Sequence, residues 1–381
     1  MGKSVLMLHS SSDLYGASRI LLYSVDFLQQ EGYKIYVAIS EEGPLAIELR
    51  KIGAEVVIQR LGILRRKYFN PLGLINRAWV LWNAHSALKK LIQEKKIETI
   101  YSNTSAVLVG SWLAQSTGIR HIFHLHEIIV HPSWLRKFLG SIIQKTADQV
   151  IVVSQAVYNN WKGSIDESKM HLIYNGLDYT PFIEESHCIR EQLLPKQKDK
   201  IWIGMIGRVS HWKGQGYFLE MAKIVSEKHP QTHFLIAGDA FPGTEYLLEE
   251  MLKKIEDLGL KDKVSYLGFR PDVANLLKSL DIFVLPSILP DPLPTVILEA
   301  MASAKPVIAT AHGGACEMLI QGETGLLIPW DKAQSGAEMI ESLVENEELR
   351  TSMGKAGRNR VLENFSKEAF RKKFMALYEN S

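Results

Sequence analysis

The sequence of 381 residues contains only two cysteines, Cys188 and Cys316. Two thiols so far apart form neither a disulfide framework nor a zinc cluster, which excludes the small disulfide-rich secreted domains. No apolar run approaches the roughly 18 residues that a membrane-spanning helix needs. The first apolar stretch, 5–8, ends at His9 and is too short for a secretion signal. These absences predict a cytosolic protein.

What the sequence does contain is enough apolar material for large cores. Hydrophobic residues make up 46% of the chain and charged residues 23%, so it is not a disordered protein. At roughly 150 residues per domain, its length favours two domains. The net charge of +2 hides an asymmetry, because residues 1–180 carry 20 Lys and Arg against 14 Asp and Glu. A basic first half favours an anionic partner, although an ordinary solvated face is the alternative.

Short runs rich in Val and Ile alternate with helical patterns such as Ala17–Gln30 and Asn83–Glu94. The predicted strands of the first half are Ser4–Leu8, Lys34–Ile39, Glu55–Ile58, Thr99–Tyr101, His121–Leu125, Gln149–Val153 and His171–Ile173. Those of the second half are Ile201–Ile206, His233–Ala237, Val264–Leu267, Ile282–Leu285, Val307–Ala309 and Leu326–Ile328. Strands without polar alternation are buried on both faces, which predicts an α/β protein with parallel sheets between helices.

The pattern predicts two doubly wound domains, 1–183 and 201–362, joined by a polar linker over 184–200. Any ligand is expected in the cleft between them, at the carboxyl ends of the strands. The remaining residues, 363–381, contain a predicted helix, Lys367–Tyr378, with an apolar stripe at Phe370, Phe374 and Leu377. This helix either packs on its own domain or crosses back to the first domain.

One segment that could form a functional site is the proline-rich loop and helix at 287–302. A proline at the first helical position, Pro294, is favourable, and the N–H groups of Thr295 and Val296 then point outward from the positive end of the helix. This predicts an anion site suited to phosphate. Asp291 and Glu299, eight residues apart, could each accept hydroxyls of a sugar. Alone, the segment could equally be an ordinary strand–proline–helix connection.

A second segment follows strand Ile201–Ile206. The chain leaves this strand through Gly207 and presents Arg208 and Lys213 five residues apart. Two cations at the carboxyl end of a strand can neutralise a diphosphate. An ordinary surface loop is the alternative.

These segments belong to a longer series of motifs. They are Gly207-Arg208, Lys213-Gly214, Asp291-x7-Glu299-Ala-Met, Lys305-Pro-Val-Ile-Ala, Gly313-Gly314, Glu317 and Gly322-x-x-Gly325-Leu-Leu, with Gly16-Ala17-Ser18, His126, Ser154 and Asn175-Gly176-Leu177-Asp178 in the first half. In this order, over nearly the whole chain, they resemble the retaining GT-B glycosyltransferases of family 4. The sequence departs from the family where Asp291 replaces the first Glu of Glu-x7-Glu and Pro292-Leu293 replaces Phe-Gly.

The resemblance implies two Rossmann-like domains facing each other across a cleft and a role for each matching residue. Arg208 and Lys213 would bind the donor diphosphate, Glu299 the ribose, and Asp291 the sugar hydroxyls, while His126 would face the sugar from the first domain. The implied catalytic residues are His126, Arg208, Lys213 and Asp291. The implied donor-binding residues are Gly16, Gly207, Arg208, Lys213, Gly268, Phe269, Arg270, Asp291, Leu293, Pro294, Thr295, Val296 and Glu299.

The chemistry expected at this site needs no metal and no cofactor besides the nucleotide-diphosphate-sugar donor, with UDP favoured over GDP. Arg208, Lys213 and a helix dipole can stabilise the charge on a departing diphosphate. His124 and His126 share one face of a strand, but no third zinc ligand is visible. No carboxylate is an obvious nucleophile, so a double displacement is not supported. Front-face retention is what the resemblance to the family implies.

Basic and aromatic residues are combined at two places in the first half. The basic members are Arg65, Arg66, Lys67, Arg136 and Lys137, and the aromatic ones are Tyr68, Phe69, Trp79, Trp82, Trp134 and Phe138. This combination suits an anionic membrane surface or a lipid-linked acceptor better than a nucleic acid. The alternative is that the aromatic residues form helix core.

The sequence therefore predicts a retaining hexosyltransferase that uses a nucleotide sugar and a lipid-linked or oligosaccharide acceptor. The resemblance and the basic first half place it in bacterial surface polysaccharide (lipopolysaccharide O-antigen or capsule) biosynthesis, peripherally bound to the cytoplasmic face of the inner membrane. A GT-B nucleotide-sugar epimerase and a non-catalytic nucleotide-sugar-binding protein are the alternatives.

Overall fold

The computed structural model of the chain describes residues 3–14, 16–63 and 70–379. It divides into two compact units. The first contains the described residues up to Gly176 together with those from Lys367 onward, and the second contains Leu177–Ser366.

The first unit is built on a parallel sheet. Within the described residues its seven strands are β1 (Ser4–Leu8), β2 (Lys34–Ile39), β3 (Glu55–Ile58), β4 (Thr99–Ser102), β5 (Arg120–Leu125), β6 (Gln149–Val152) and β7 (Met170–Leu172). They lie in the order β3-β2-β1-β4-β5-β6-β7, with every pair parallel. The central strand β1 is buried along its whole length, as its unbroken Val-Leu-Met-Leu run predicts.

Helices connect these strands and cover the sheet. They are α1 (Gly16–Gln30), α2 (Pro44–Lys51), α3 (Pro71–Lys95), α4 (Val109–Thr117), α5 (Ser133–Thr146) and α6 (Gln155–Trp161). Helix α3 begins twelve residues before the predicted start at Asn83. The Asn70 side chain accepts a hydrogen bond from the Gly73 N–H at 2.8 Å, and Pro71 occupies the first turn, so both signals of a helix start are present.

The second unit repeats this architecture. Its six strands among the described residues are β8 (Ile201–Ile206), β9 (Thr232–Ala237), β10 (Val264–Tyr266), β11 (Ile282–Leu285), β12 (Val307–Thr310) and β13 (Leu326–Ile328). They are parallel, in the order β10-β9-β8-β11-β12-β13. Its helices are α7 (Thr180–Ile183), α8 (Arg190–Leu193), α9 (Gln215–Lys228), α10 (Tyr246–Asp257), α11 (Val273–Ser279), α12 (Thr295–Ala302), α13 (Ala315–Met318), α14 (Ala333–Glu345) and α15 (Glu347–Asn364).

The strand order reverses next to β1 in the first unit and next to β8 in the second. Successive connections leave these two points on opposite sides of the sheet, which opens a crevice at the carboxyl ends of β1 and β4, and of β8 and β11. The α/β class and the two parallel sheets predicted from the sequence are confirmed, and each predicted strand is found with its ends shifted by one residue or less.

The residues predicted to be a linker, 184–200, belong to the second unit instead. Ile189 is buried, and Arg190 donates from its guanidinium to the Asp281 carboxylate at 2.6 Å and to the Ser279 carbonyl at 2.7 Å. These contacts tie the polar segment to the sheet of the second unit, which the composition of the segment could not reveal. The chain passes from the first unit to the second after Gly176, seven residues before the predicted boundary at 183.

A further helix, α16 (Lys367–Glu379), lies in the first unit, so the chain crosses back to it. Phe370 and Phe374 are buried against Phe27 of α1, with ring centroids 5.6 and 6.3 Å apart. At the start of the helix, Lys367 Nζ lies 3.0 Å from the Asp26 carboxylate. The apolar stripe read from the sequence is therefore the face of α16 that completes the core of the first unit.

Candidate active site

The carboxyl edge of the second sheet brings two predicted residues into direct contact. Lys213, in the loop after β8, places its Nζ 2.9 Å from Oδ2 of Asp291, in the loop after β11. The same carboxylate oxygen accepts a hydrogen bond from the Ser287 hydroxyl at 2.6 Å. The Lys213 and Asp291 side chains are only 17% and 14% exposed, so this is a mostly buried ion pair. The sequence predicted both residues but not their pairing.

Two glycines allow the loops of this edge to approach so closely. Gly214 has a φ of +77°, and a Cβ atom there would lie 1.9 Å from the carbonyl oxygen of Pro286. Gly313 has a φ of +62°, and its Cβ would lie 2.3 Å from the carbonyl oxygen of Asp291. Any other residue would push the loops apart. The glycines of the Lys213-Gly214 and Gly313-Gly314 motifs therefore hold the loops that carry Lys213 and Asp291.

Helix α12 begins directly beyond this pair. Thr295 is its first residue, so Pro294 is the N-cap rather than the first helical residue, which corrects the prediction. The N–H groups of the first turn have no acceptor within the helix and form the positive end of its dipole. One turn further on, the Glu299 side chain is buried. The Leu293 side chain is also buried.

Arg208 and Gly207 lie immediately after β8. The Arg208 guanidinium carbon lies 5.2 Å from the ring centre of Phe241, and the Arg208 carbonyl accepts a hydrogen bond from the Gln215 side chain at 2.9 Å. Both contacts fix the loop between β8 and α9 on the same edge of the sheet as Lys213. Arg208 and Lys213 thus belong to one loop at the carboxyl end of one strand, as predicted.

The three weaker candidates, Gly268, Phe269 and Arg270, follow β10 on that edge. The Phe269 ring is 64% exposed, so it could stack with a planar ligand. Arg270 makes two hydrogen bonds to the Asp272 carboxylate, at 2.8 and 2.5 Å, and these bonds lower the pKa of Asp272. The guanidinium is thereby held in a fixed orientation at the start of α11.

At the carboxyl edge of the first sheet, three neighbouring polar side chains are neutral. His9, Asn103 and His126 directly follow the adjacent strands β1, β4 and β5. The Asn103 amide contacts both histidines: its Oδ1 lies 3.1 Å from His126 Nε2, and its Nδ2 lies 3.1 Å from His9 Nδ1. Burial lowers the pKa of His9 to about 4 and also lowers that of His126, with the neighbouring His9 contributing. Both imidazoles are therefore uncharged at neutral pH.

Glu127 supports the loop after His126. Its carboxylate accepts hydrogen bonds from the Thr104 hydroxyl and from the backbone N–H groups of Ser105 and His126, the last two at 3.3 and 3.2 Å. Burial raises its pKa, and these hydrogen bonds oppose the rise. Its carbonyl accepts a hydrogen bond from the indole of the buried Trp161 at 3.1 Å.

Comparisons with known proteins identify the family of the chain. The model of the family "Glycosyltransferase Family 4" matches residues 15–180, and that of "Glycosyl transferases group 1" matches residues 189–360. The chain belongs to the family 4 type of glycosyltransferases. The fold class is therefore GT-B, and the enzyme is a glycosyltransferase of class EC 2.4.

Relatives with known activities are similar over most of the chain. The UDP-Gal:alpha-D-GlcNAc-diphosphoundecaprenol alpha-1,3-galactosyltransferase of Escherichia coli is 25% identical, with 93% of this chain and 90% of that protein covered. The alpha-maltose-1-phosphate synthase of Mycolicibacterium smegmatis is 27% identical, with 68% and 72% covered. Among solved structures, Anabaena Alr3699/HepE in complex with UDP and glucose has a TM-score of 0.85 at 22% identity, with both chains fully covered, which establishes the similarity of fold.

His124, on β5, and His126, directly after it, do not form a metal site with other described residues. The rings of His124 and His126 lie 4.1 Å apart, and burial lowers the pKa of His124 well below its usual value. Across residues 3–14, 16–63 and 70–379 no group of three or more His, Cys, Asp or Glu side chains is arranged to hold a metal ion. His124 Nδ1 instead lies 2.5 Å from the Tyr101 hydroxyl, as expected of a core histidine.

Of the other predicted residues of the first unit, Gly16 also lies at the carboxyl edge of the sheet, next to Ala17 and Ser18, which contact Asn103 and His9. Gly16 is the first residue of α1. Arg65, Arg66 and Lys67, with Tyr68 and Phe69, lie outside the described residues. Trp134, Arg136 and Lys137 lie on α5. Trp134 and Lys137 are exposed, whereas Arg136 is partly buried and its Nε has no hydrogen-bond partner among the described residues.

Helix α3 carries an exposed apolar surface, of which the sequence analysis singled out only Trp79 and Trp82. Leu72, Ile75, Trp79 and Trp82 follow one another at helical spacing and are all exposed, whereas the opposite side of the helix buries Val80, Ala84, Leu88 and Ile92. Trp79, Trp82, Trp134 and Phe138 are between 50% and 63% exposed. The alternative that these aromatic residues form helix core is therefore wrong. In the described part of the chain no helix has both the length and the apolar content needed to cross a bilayer.

Sequence reasoning missed His9, Asn103 and Glu127 as members of this edge. A usable signal was present, because His9 and Asn103 are polar residues that directly follow buried strands, at the point where parallel strands bring their carboxyl ends together. Glu127 follows His126 directly and could have been included with it.

Proposed function

We propose that this glycosyltransferase transfers a hexose, with retention of configuration, from a UDP-sugar to a lipid-linked acceptor in bacterial surface polysaccharide assembly. The observation that carries the proposal is the ion pair between Lys213 and Asp291, held at the start of α12. The cation and the helix N-terminus can both bind a diphosphate, and the carboxylate can accept the hydroxyls of the sugar attached to it.

The expected step breaks the bond between C1 of the sugar and the oxygen of the donor diphosphate. The electron pair of that bond goes to the departing diphosphate oxygen, where Lys213, Arg208 and the first N–H groups of α12 stabilise the new charge. The acceptor hydroxyl oxygen forms its bond to C1 on the same face, and its proton passes to the departing diphosphate oxygen. We further propose that these fixed positive groups let the reaction proceed without a divalent cation.

Asp291 gains a second role from its pairing. With no donor bound, its carboxylate balances the Lys213 charge at 2.9 Å, and the Ser287 hydroxyl fixes its orientation. When a diphosphate binds, Lys213 can turn toward the phosphate oxygens, which releases a carboxylate oxygen to accept a sugar hydroxyl. Because Asp is one carbon–carbon bond (about 1.5 Å) shorter than the usual Glu, a water molecule can bridge the remaining distance.

The choice of donor and acceptor follows the similar proteins. The E. coli relative acts on UDP-Gal and a diphosphoundecaprenol-linked sugar, and the similar Anabaena protein was solved with UDP and with UDP-glucose. The exposed apolar side of α3 supports docking of the first unit on a membrane that holds such an acceptor, because Trp and aliphatic side chains insert at the lipid interface. Arg77, Lys90 and Lys137 on α3 and α5 add positive charge suited to anionic headgroups.

The direct experiment measures product formation from a panel of UDP- and GDP-sugars, with and without polyprenyl-diphosphate-linked sugar. The proposal predicts stabilisation of the fold by a UDP-sugar and sugar transfer only when the lipid-linked acceptor is present. Release of free nucleotide with an altered sugar and no acceptor would identify an epimerase. Donor binding without turnover under any of these conditions would identify a non-catalytic binding protein. A second series with EDTA, and then with added Mg²⁺ or Mn²⁺, tests the proposed independence of metal.

A further inference from the structure

The polar groups at the carboxyl edge of the first sheet form one continuous chain of hydrogen bonds. It runs from His126 Nε2 to Asn103 Oδ1 (3.1 Å), and from Asn103 Nδ2 to His9 Nδ1 (3.1 Å). It continues from His9 Nε2 to the Ser18 hydroxyl (2.9 Å) and from that hydroxyl to the Asp13 carboxylate (3.2 Å). Asn103 and His9 are buried, so water cannot substitute freely for these partners.

The direction of this chain is determined by two groups that can only accept hydrogen bonds. The Ala17 carbonyl lies 3.1 Å from one terminal atom of the Asn103 amide, so that atom must be the NH₂ group, and the other must be the oxygen that faces His126. His126 Nε2 must therefore carry a hydrogen to donate to it. At the other end, Asp13 accepts the Ser18 hydroxyl hydrogen. Ser18 then accepts from His9 Nε2, which leaves His9 Nδ1 free of hydrogen to receive the second N–H of Asn103.

We propose that Asn103 is a positioning residue that holds neutral His126 in the Nε2–H tautomer, so that Nδ1 of His126 is a hydrogen-bond acceptor for a substrate hydroxyl. The tautomer follows from the two acceptor-only groups, whereas the role toward a hydroxyl rests on the proposed sugar-transfer function. A free imidazole exchanges between tautomers, so fixing one of them makes the acceptor available in every molecule. The carbonyl of Ala17, in the first turn of α1, thereby determines which atom His126 offers.

The protein contains an internal reference with the opposite tautomer. His121 Nδ1 lies 3.2 Å from the Thr146 carbonyl, and its Nε2 lies 2.9 Å from the Ser102 hydroxyl. A carbonyl only accepts, so His121 carries its hydrogen on Nδ1. Both His121 and His126 are on or directly after β5, which makes His121 a matched control for a measurement on His126.

The test is ¹⁵N NMR of the full-length protein labelled in its histidine rings, because protonated and bare ring nitrogens have clearly different chemical shifts. Resonances are assigned with His126→Gln, His121→Gln and His9→Gln variants. The wild-type protein is expected to show the Nε2–H form for His126 and His9 and the Nδ1–H form for His121. An Nδ1–H form for His126 in the wild-type protein would overturn the proposal, and this measurement needs no variant of Asn103.

Two variants of Asn103 then test its role. Asn103→Asp keeps an acceptor for His126 but removes both donated hydrogens, so His126 Nε2 is expected to stay protonated. Asn103→Leu removes both interactions, so His126 should become a mixture of tautomers, whereas His9, still held by Ser18 and Asp13, should keep its Nε2–H form. His121 should be unchanged in either variant. An unchanged His126 spectrum in Asn103→Leu would contradict the positioning role.

Kinetics and ligand titration connect the tautomer to the reaction. Asn103→Leu is expected to lower kcat/KM by about tenfold, the effect of losing one hydrogen bond to the substrate. Addition of the UDP-sugar should shift the Nδ1 resonance of wild-type His126. If the tautomers are as expected but no nucleotide sugar shifts that resonance, the proposed function fails while the tautomer assignment stands.

Discussion

The carboxyl edges of the two sheets differ in their electrostatics. In the first unit, His9, Asn103 and His126 are neutral and are held by a continuous chain of hydrogen bonds. In the second, Lys213 and Asp291 form an ion pair beside the positive end of α12. Two domains with nearly the same strand order therefore differ in the polar groups at this edge: the first has neutral side chains linked to the Asp13 carboxylate, and the second has an ion pair.

The two edges suit different chemical groups. A diphosphate carries negative charge that grows as it departs, so its site needs fixed cations. A sugar is neutral and has only hydroxyls to orient, so groups with defined donors and acceptors suffice. The comparison leads to four predictions, in order of decreasing expected effect.

Acidification should destabilise the first unit more than the second. Burial lowers the pKa of His9 and His121, and of His233 in the second unit, to about 4. The unfolded chain binds more protons than the native one between pH 6.5 and 4, so stability is complete above about pH 6.5 and declines through that window as pH falls. At pH 5 each such histidine costs about 2 kcal/mol. The raised pKa of Glu127 acts in the opposite direction and offsets part of the loss.

Hydrogen exchange followed by mass spectrometry at pH 7 and pH 5 can check this expectation. Peptides from β1, β4 and β5 should lose more protection than peptides from β8, β9 and β11, after correction for the intrinsic exchange rates. Equal losses in the two sheets would show that the neutral edge is no more acid-sensitive than the charged one.

Lys213→Ala should lower kcat by roughly 10²–10³-fold, or about 3 kcal/mol, because it removes a preorganised cation from the departing diphosphate. The matched control is Lys198→Ala, which breaks an exposed ion pair of the same 2.9 Å length in the same unit and should leave kcat unchanged. The measurement is turnover at saturating donor. Near-normal turnover of the Lys213 variant would remove this residue from the diphosphate site.

Asp291→Asn should lower kcat about tenfold and raise the donor KM, because the amide keeps one acceptor oxygen but loses the charge that pairs with Lys213. Asp291→Ala should have a larger effect on both constants, since it leaves no acceptor for a sugar hydroxyl. The control is Asp281→Asn, which breaks the 2.6 Å pair with Arg190 and should reduce stability rather than kcat. Normal kinetics of Asp291→Ala would limit Asp291 to a structural role in its loop.

The smallest effect concerns membrane docking by the first unit. Replacing Trp79 and Trp82 by Ser should reduce co-sedimentation with anionic liposomes a few-fold, because it removes apolar side chains that insert at the interface. Trp330→Ser is the control, since Trp330 is 53% exposed but lies in the second unit. Salt should weaken binding of the wild type only in part, as it screens the basic residues and not the apolar term. Equal sedimentation of all three proteins would exclude docking through α3.

The sheets were predictable because their central strands are buried on both faces and therefore read as unbroken apolar runs, although the edge strand β3 is not buried. Helix α3 was predicted too short, because the exposed Leu72, Ile75 and Trp79 hide the narrow buried stripe that begins at Val80. For the site, Lys213 and Asp291 were predicted by type, but they are 78 residues apart and their contact depends on β8 and β11 being neighbours. The pairing of His9 with Asn103 likewise depends on β1 lying beside β4.

The return of α16 to the first unit has a consequence for how the protein is made. Phe370 and Phe374 are needed to cover Phe27 and the ring of Tyr101, yet the ribosome adds them only after the whole second unit has been synthesised. Domains usually fold in the order of synthesis. Here the first unit starts to be synthesised before the second but is completed after it. Its aromatic residues remain accessible to chaperones until α16 has left the exit tunnel.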